Sequence, residues 1–451
     1  MTLTGYGKFI APILMLDYHL AFTHDRIKDI SRKYGTPFYL YNLEKIRFQF
    51  LSLKKSLPNS FKIHYALKAN SNLSICHALS ALGARADVSS LGELFCADKS
   101  GFTGDFTLLT GSGKTEELLA TAMKKGVKLI VIESVNEAKR LNKVYKNHDL
   151  RQDVIVRINP LKKELFGEVS ISDYASKFGI DEECALEALL EISQMNHLNL
   201  IGIHVYTASN VVDYLEMLES MEKTIEIANR LRSQGLSIQV VDFGGGLGVA
   251  YDRSQNYFDL DRFAIGVKRL VQNSIYQYQY IFEIGRYIVA ESACYVCKVV
   301  DLKQSRGKNY VIVDGGIHHL YRPLMKKANQ LLEVIRKNGA SHNNADGKLT
   351  ISDVNESQKF TLAGLLPTPA DILIEDVPME LPEIGDLVTI YKCGAYSYNH
   401  SLTNFALHPY PAELAYQDSE ISLIRERGLA SDFARNQIML MPKIETTYLE
   451  S

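Results

Sequence analysis

Between residues 40 and 290, short apolar runs alternate with longer segments whose apolar positions recur at helical spacing. The short runs lie at 62–66, 86–89, 106–109, 129–133, 154–158, 200–205, 239–243 and 280–283, and helical patterns fill 115–125, 135–145 and 213–234. Eight strands alternating with helices over about 250 residues predict a (β/α)8 TIM barrel. A doubly wound sheet would use fewer repeats and a glycine fingerprint in its first turn, and none is present there. Beyond residue 290 the rhythm changes to short alternating segments at 295–303, 309–313, 360–363 and 386–391, separated by Gly, Pro and Asn. These predict a second domain of antiparallel β strands. The barrel is expected over 41–290, with 1–40 and 291–451 forming the β domain and a strand at 37–41 returning to it. The stretch 341–348 reads as a loop or insertion.

At 451 residues the chain exceeds one ordinary core, in keeping with two domains. A formal net charge of -2 offers no basic excess for nucleic acid, and no apolar run reaches bilayer-spanning length, so neither partner is expected. The apolar stretch Ile10-Ala11-Pro12-Ile13-Leu14-Met15-Leu16 is short, broken by proline and without a small-residue cleavage site, unlike a signal peptide. Six cysteines without framework spacing suit a reducing cytoplasm. Cys294 and Cys297 fall in a strand-like run, where positions three apart point to opposite faces, which argues against a metal or redox pair.

The predicted strand ends carry the chemistry. In order they present Lys68, Asp87 with Ser89, Arg157, His204, a glycine run, and Glu283 with Arg286, all facing one mouth if the barrel forms. Lys68 follows the run Phe61-Lys62-Ile63-His64-Tyr65-Ala66, where an amine can be desolvated, its pKa lowered, and a Schiff base formed with a carbonyl. Its plain alternative is a surface lysine leaving a strand. Asp242-Phe243-Gly244-Gly245-Gly246-Leu247-Gly248 follows the seventh strand, where backbone N–H groups can nest an anion; a tight strand–helix turn is the alternative. The next strand delivers Glu283-Ile284-Gly285-Arg286, whose guanidinium suits a phosphate. Lysine, phosphate cradle and glutamate together describe pyridoxal 5'-phosphate, with Glu283 keeping the pyridine nitrogen protonated and His204 able to stack on the ring.

These motifs resemble the fold-type III pyridoxal-phosphate decarboxylases, the group that includes the diaminopimelate, ornithine and arginine decarboxylases. The resemblance rests on 65–70, Ala86-Asp87-Val88-Ser89-Ser90, Val156-Arg157-Ile158-Asn159, Ser176-Lys177-Phe178-Gly179, 242–248, 283–286 and Cys393-Gly394-Ala395-Tyr396, and runs from Thr36 to Leu414. It implies that Lys68 is the Schiff-base lysine, that His204 stacks on the ring and that Glu283 pairs with the pyridine nitrogen. It also implies that Gly245, Gly246, Gly285, Arg286, Tyr396 and Thr207 hold the phosphate, with Asp87 and Arg157 beside the Schiff base. The β domain is then a sandwich or Greek-key barrel, and the assembly a head-to-tail homodimer with shared active sites.

The chain departs from that pattern where the family has Gly-Pro-Leu-Cys, because Gly364-Leu365-Leu366-Pro367-Thr368-Pro369-Ala370-Asp371 puts Pro367 at the cysteine position. In the family that thiol comes from the partner subunit and is thought to return a proton after carbon dioxide leaves; proline has none to give. Arg322 resembles the carboxylate-binding arginine of the diaminopimelate enzymes and Asp371 their substrate-binding aspartate. However, Lys326 replaces a tyrosine and Thr368-Pro369 a Glu-Ser pair. Thr368-Pro369, Ser209-Asn210 and His408-Pro409-Tyr410-Pro411 resemble decarboxylases of carboxylate-siderophore biosynthesis, which act on a citryl-linked diamino acid. The expected function is decarboxylation of a modified diamino acid, with a citryl-linked ornithine foremost. Alternatives are a diaminopimelate or basic amino-acid decarboxylase, and a non-catalytic regulatory homologue that lost the cysteine.

Overall fold

The computed structural model describes residues 21–161, 169–170 (backbone only), 176–252, 255–323, 330–337, 358–379 and 381–440. The stretches read at 10–16 and 341–348, and Lys326, lie outside the described residues. Strand β1 (Phe38–Asn42) is followed by β2 (Phe61–Ala66), β3 (Arg85–Val88), β4 (Thr107–Leu109), β5 (Leu129–Ile132) and β6 (Gln152–Asn159). Two short strands, β7 (Val169–Ser170) and β8 (Ile180–Asp181), precede β9 (Leu198–His204); β10 (Ala208–Ser209), β11 (Val240–Asp242) and β12 (Gln279–Ile284) follow. Strands β2, β3, β4, β5, β6, β9, β11 and β12 pair in parallel, and β5 with β6 and β12 with β2 close the ring. All eight expected strands are present and form a TIM barrel.

Two periodicities build the barrel. The helices begin at side-chain caps: Asn42, Ser90, Thr115, Ser134, Asp213 and Asp259 each accept a backbone N–H of the first turn, satisfying a donor that the helix leaves orphaned. Along the strands, alternate residues face in and out. On β12, Tyr280 and Phe282 face the helices and stack with Phe61, their ring centroids 4.9 and 5.3 Å away. Each such buried aromatic stabilises the fold by about 1.5–3 kcal/mol. Inside, Leu108, Leu129, Val131, Ile155, Val240 and Ile281 form a separate apolar cluster that fills the barrel. Two residues further along the strands, on the same inner face, stand Thr110, Glu133, Arg157, Asp242 and Glu283, all buried. The barrel is therefore apolar in its lower layer and charged at its C-terminal mouth.

The second domain contains β13 (Ala293–Ser305), β14 (Lys308–Val313), β15 (Leu332–Ile335), β16 (Lys359–Ala363), β17 (Ile372–Pro378), β18 (Leu387–Tyr391), β19 (Ala412–Gln417) and β20 (Glu420–Arg425). Strand β1 joins them, between β13 and β19. Most pairings are antiparallel as expected, but β1–β19 and β14–β16 are parallel, so the sheet is mixed. Phe38, Leu40, Cys294 and Val296 bury one face with Ile27 and Ile30 of helix His24–Tyr34. Tyr39, Tyr41, Tyr295 and Cys297 bury the other against the main core. Cys294 and Cys297 thus lie on opposite faces, and among the described residues all six cysteines are free.

A candidate active site at the barrel mouth

The charged layer surrounds a cavity lined by Lys68, Tyr206, Ser209, Asn210, Gly245, Gly246, Leu247, Glu283, Gly285, Arg286 and Tyr396. Lys68 sits in the single-turn segment Leu67–Ala69 directly after β2, its side chain 41% exposed toward the mouth. Its Nζ donates to Asp87 Oδ2 at 2.7 Å, and Thr110 Oγ1 donates to Asp87 Oδ1 at 2.6 Å. Burial disfavours the ammonium, but Asp87, Glu283 and Tyr396 outweigh it and hold the Lys68 pKa well above its ordinary value. The expected lowering is corrected here: without a carbonyl partner, Lys68 is a paired ammonium and must release its proton before it can attack. Asp87, by contrast, is raised to about 6 by burial and by Glu283, against the pull of Lys68.

Glu283 is buried, and its Oε1 stands 3.5 Å from His204 Nε2. Burial alone would raise its pKa, but His204, Lys68 and Arg157 hold it down, to about 2. Burial lowers the His204 pKa, against the pull of Glu283. Arg157 NH1 donates to Glu133 Oε1 at 2.9 Å, and its guanidinium lies 4.5 Å from the Phe178 ring centroid. This pair turns Arg157 toward Glu133 and away from the cavity lining.

The glycine loop owes its composition to close approach. A Cβ on Gly245 would stand 2.6 Å from the Glu283 carbonyl oxygen, and Gly246 has φ +119°. Beside this loop, Arg286 donates to Tyr251 Oη at 2.9 Å and to Ser209 Oγ at 3.3 Å, with the Tyr396 ring 4.7 Å away. Tyr396 comes from the β domain of the same chain. Its N–H donates to Ala69 O at 2.9 Å, and Asn70 Nδ2 donates to Gly394 O at 3.1 Å, which ties the β domain to the turn that carries Lys68.

Lys68, Glu283, Gly245, Gly246, Gly285, Arg286 and Tyr396 line one cavity, with Asp87 and His204 touching it through Lys68 and Glu283. Thr207 does not join them: its Oγ1 hydrogen-bonds Ser220 Oγ at 2.8 Å, and Ser209, two residues on, lines the cavity instead. Arg322 is buried, its guanidinium 3.6 Å over the ring of Tyr251, the residue that accepts from Arg286. Asp371 turns into its own loop, accepting the backbone N–H groups of Ile317 and Leu366, each at 2.7 Å. Glu133 was not picked out from the sequence, and Asp242 and Ser209 stood in motifs there without a role in the site. The signal for the first two was their place two residues beyond an inward-facing apolar residue.

Residues 43–290 match the model of the pyridoxal-dependent decarboxylase family, pyridoxal binding domain. The chain belongs to this family. It is 30% identical over 422 residues to the L-glutamyl-[BtrI acyl-carrier protein] decarboxylase of Niallia circulans, covering 91% of this chain and 96% of that relative. It is also 30% identical over 413 residues to a diaminopimelate decarboxylase of Helicobacter pylori, covering 91% and 98%. Among solved structures, Helicobacter pylori diaminopimelate decarboxylase complexed with L-lysine superposes with a TM-score of 0.81 at 29% identity, covering 91% and 98% of the two chains. The protein is thus a pyridoxal-phosphate-dependent amino-acid decarboxylase of fold type III. The site fits that cofactor: Glu283 Oε1 is buried without a hydrogen-bond partner, and the glycine cradle leaves space that side chains would fill. Arg286 and Ser209 offer donors suited to a phosphate ester.

Proposed function

We propose that this decarboxylase acts on an α-amino acid carrying a large polar substituent, with a citryl-linked ornithine as the foremost candidate. The observation that carries the reading is the loop 364–371. Pro367 offers no proton, and both carboxylate oxygens of Asp371 are taken up by backbone N–H groups. A free diamino acid brings a second ammonium that needs a counter-charge, and neither Asp371 nor Thr368-Pro369 supplies one. The Niallia circulans relative, whose name states action on a carrier-bound glutamyl group, supports a modified amino acid as substrate. Similarity to the diaminopimelate decarboxylases keeps a free diamino acid as the second reading.

Within the site, Lys68 is the residue for the cofactor aldehyde, Glu283 for the ring nitrogen and His204 for the ring face. Gly245, Gly246, Ser209, Gly285, Arg286 and Tyr396 are assigned to the phosphate. When bound, pyridoxal phosphate supplies the aldehyde that captures the substrate amine and the ring that takes up the electron pair left by the departing carboxylate. The protein's part is orientation and charge. Asp87 holds the Lys68 amine, Glu283 keeps a proton on the ring nitrogen, and Arg322 is suited to a substrate carboxylate.

The protein is proposed to act as a head-to-tail homodimer in the cytoplasm. Loops 364–371 and 401–408 both pack on the segment 315–321 through Leu365 N–H to Gly315 O and Tyr321 N–H to Ser401 Oγ. They leave Leu365, Leu402, Phe405 and Leu407 between 40% and 54% exposed, which supports an interface there. Among the described residues, no helix is long and apolar enough to cross a membrane.

Carbon dioxide release tests the substrate, with ornithine, lysine, arginine, diaminopimelate, N-citryl-ornithine and a glutamyl thioester supplied separately to the cofactor-loaded protein. Release from the citryl conjugate alone is expected. Turnover of a free diamino acid at comparable kcat/KM refutes the proposal, and turnover of the thioester alone replaces its substrate class with carrier-bound amino acids.

A further inference from the structure

Four buried polar atoms without hydrogen-bond partners gather at the ends of three adjacent strands: Asp242 Oδ2, Glu283 Oε1 and both ring nitrogens of His204. One ligand atom from each of the three residues lies within 4.8 Å of the others. Asp242 is 0% exposed and Glu283 7%. Both acids sit on the inner face, two residues past Val240 and Ile281, with Asp242 sealed in the barrel and Glu283 bordering the cavity. The other oxygen of Asp242 is fixed, since Oδ1 accepts the Gly244 N–H at 2.8 Å. Two ionised carboxylates so close and so dry repel each other, and two bare acceptors cannot hydrogen-bond. One proton removes both difficulties.

We propose that Asp242 carries a proton on Oδ2 and donates it to Glu283, so that the pair bears a single negative charge, on Glu283. Asp242 is then a positioning residue: it fixes the Glu283 carboxylate as the ring-nitrogen partner without adding charge to the site. The surroundings decide which acid holds the proton. Glu283 faces cationic Lys68 and Arg157 and the His204 ring, whose Nε2 stands 3.5 Å away, with neutral His64 further off. Asp242 faces anions, Glu283 and Asp87. Glu133 is engaged with Arg157. Burial first, then the Glu283 charge, raises the Asp242 pKa well above the carboxylate range, in line with the geometry. The inference rests on the cofactor assignment and is independent of which amino acid is the substrate.

Asp242→Asn is the direct test, because the amide keeps the acceptor for Gly244 and places an N–H where the acid O–H stood. Infrared spectra of the wild-type protein, with and without cofactor, should contain the carbonyl band of a protonated carboxylic acid that persists between about pH 6 and 8. Isotope-labelled aspartate should shift that band, and Asp242→Asn should remove it. In the holoenzyme, the pH midpoint of the cofactor absorbance in Asp242→Asn should stay within about 0.3 unit of wild type. Absence of a labelled-aspartate band in wild-type protein overturns the proposal even if the variant fails to fold. So does a midpoint shift of about one unit or more, which reports the loss of a real negative charge. A stoichiometric metal ion in the purified protein also overturns it, since a cation keeps both acids ionised. Failure to bind pyridoxal phosphate would sink the cofactor assignment, while the infrared result on cofactor-free protein still decides the state of Asp242.

Discussion

Gly245→Ala isolates the spatial demand of the phosphate loop, because Gly245 does not occupy the left-handed region where alanine would be strained. The added methyl would stand 2.6 Å from the carbonyl oxygen of Glu283, whereas a tolerable contact begins at 3.0–3.4 Å. The loop or the end of β12 must therefore move by 0.4–0.8 Å, the difference between those distances. Backbone lies on both sides, so no flexible side chain absorbs the shift. The displaced pieces are the glycine cradle and the residue assigned to the ring nitrogen. Since a misplacement of about 1 Å can cost about a hundredfold in rate, a fall in kcat/KM of about 10- to 100-fold is expected, with weaker cofactor binding. Fluorescence titration with pyridoxal phosphate and steady-state decarboxylation measure the two effects. Gly92→Ala is the control: it lies in helix Leu91–Lys99, and its Cβ would meet only Ser90 Oγ, at 3.9 Å. That change should leave function intact and stabilise the helix by up to about 1 kcal/mol. Wild-type affinity and turnover in Gly245→Ala would refute the assignment of the glycine loop to the cofactor.

Ser209→Ala should weaken pyridoxal phosphate binding by about 10-fold or more, the value of a hydrogen bond to a charged group, whereas Thr207→Ala should change it by about threefold at most. Equal effects in equilibrium dialysis would reverse that assignment. Pro367→Cys should raise turnover, because general acid catalysis contributes about 10²–10⁴-fold where a donor is in place; unchanged turnover in a correctly folded variant counts against it. His64 is buried with its pKa lowered to about 4, Nδ1 donating to Ala86 O at 3.2 Å, so the unfolded chain takes up a proton there below pH about 6.5 and the native state does not. Stability is thus full above that pH and falls as pH drops from about 6.5 toward 4, by up to about 3 kcal/mol from this group. Asp87, raised to about 6, opposes the fall below pH 6, so comparison of urea unfolding in wild type and His64→Gln isolates the imidazole. An identical loss in both would refute it.

The barrel was legible because its strands are short apolar runs and its helices carry the longer period, and both signals are local. The mixed pairing of the β domain was not. Whether β1 runs parallel to β19 depends on where residues nearly four hundred apart come to rest, and all five residues of β1 are buried, which leaves no polar–apolar alternation to read. At the site, motif residues such as Lys68, Gly245 and Arg286 announced themselves. Thr207 did not hold the place the resemblance gave it: Val205 N–H bonds Asp242 O and β10 follows, so the chain turns Ser209 toward Arg286 instead. Asp371 illustrates the same limit, since an aspartate in a binding motif and an aspartate that anchors its own loop look alike until the backbone is placed.

Charge balance links the buried acid to the choice of substrate. The cavity is lined by the cations Lys68 and Arg286 and the anion Glu283, with Asp87 paired to Lys68, and the Arg157–Glu133 pair and Arg322 stand behind that lining. Pyridoxal phosphate brings about two negative charges on its phosphate and one on its ring oxygen, against one positive charge on its protonated ring nitrogen, so the loaded site already leans negative with Asp242 an uncharged acid. An ionised Asp242 would add a further negative charge at a fully buried position, at the electrostatic cost that keeps buried charges paired. The same balance bears on the amino acid that enters. Its α-amino and α-carboxylate groups cancel, whereas the free ammonium of ornithine, lysine or diaminopimelate needs a carboxylate beside it, and Asp371 is spent on backbone N–H groups. Acylation of that second amine, as in the proposed citryl conjugate, would remove that need.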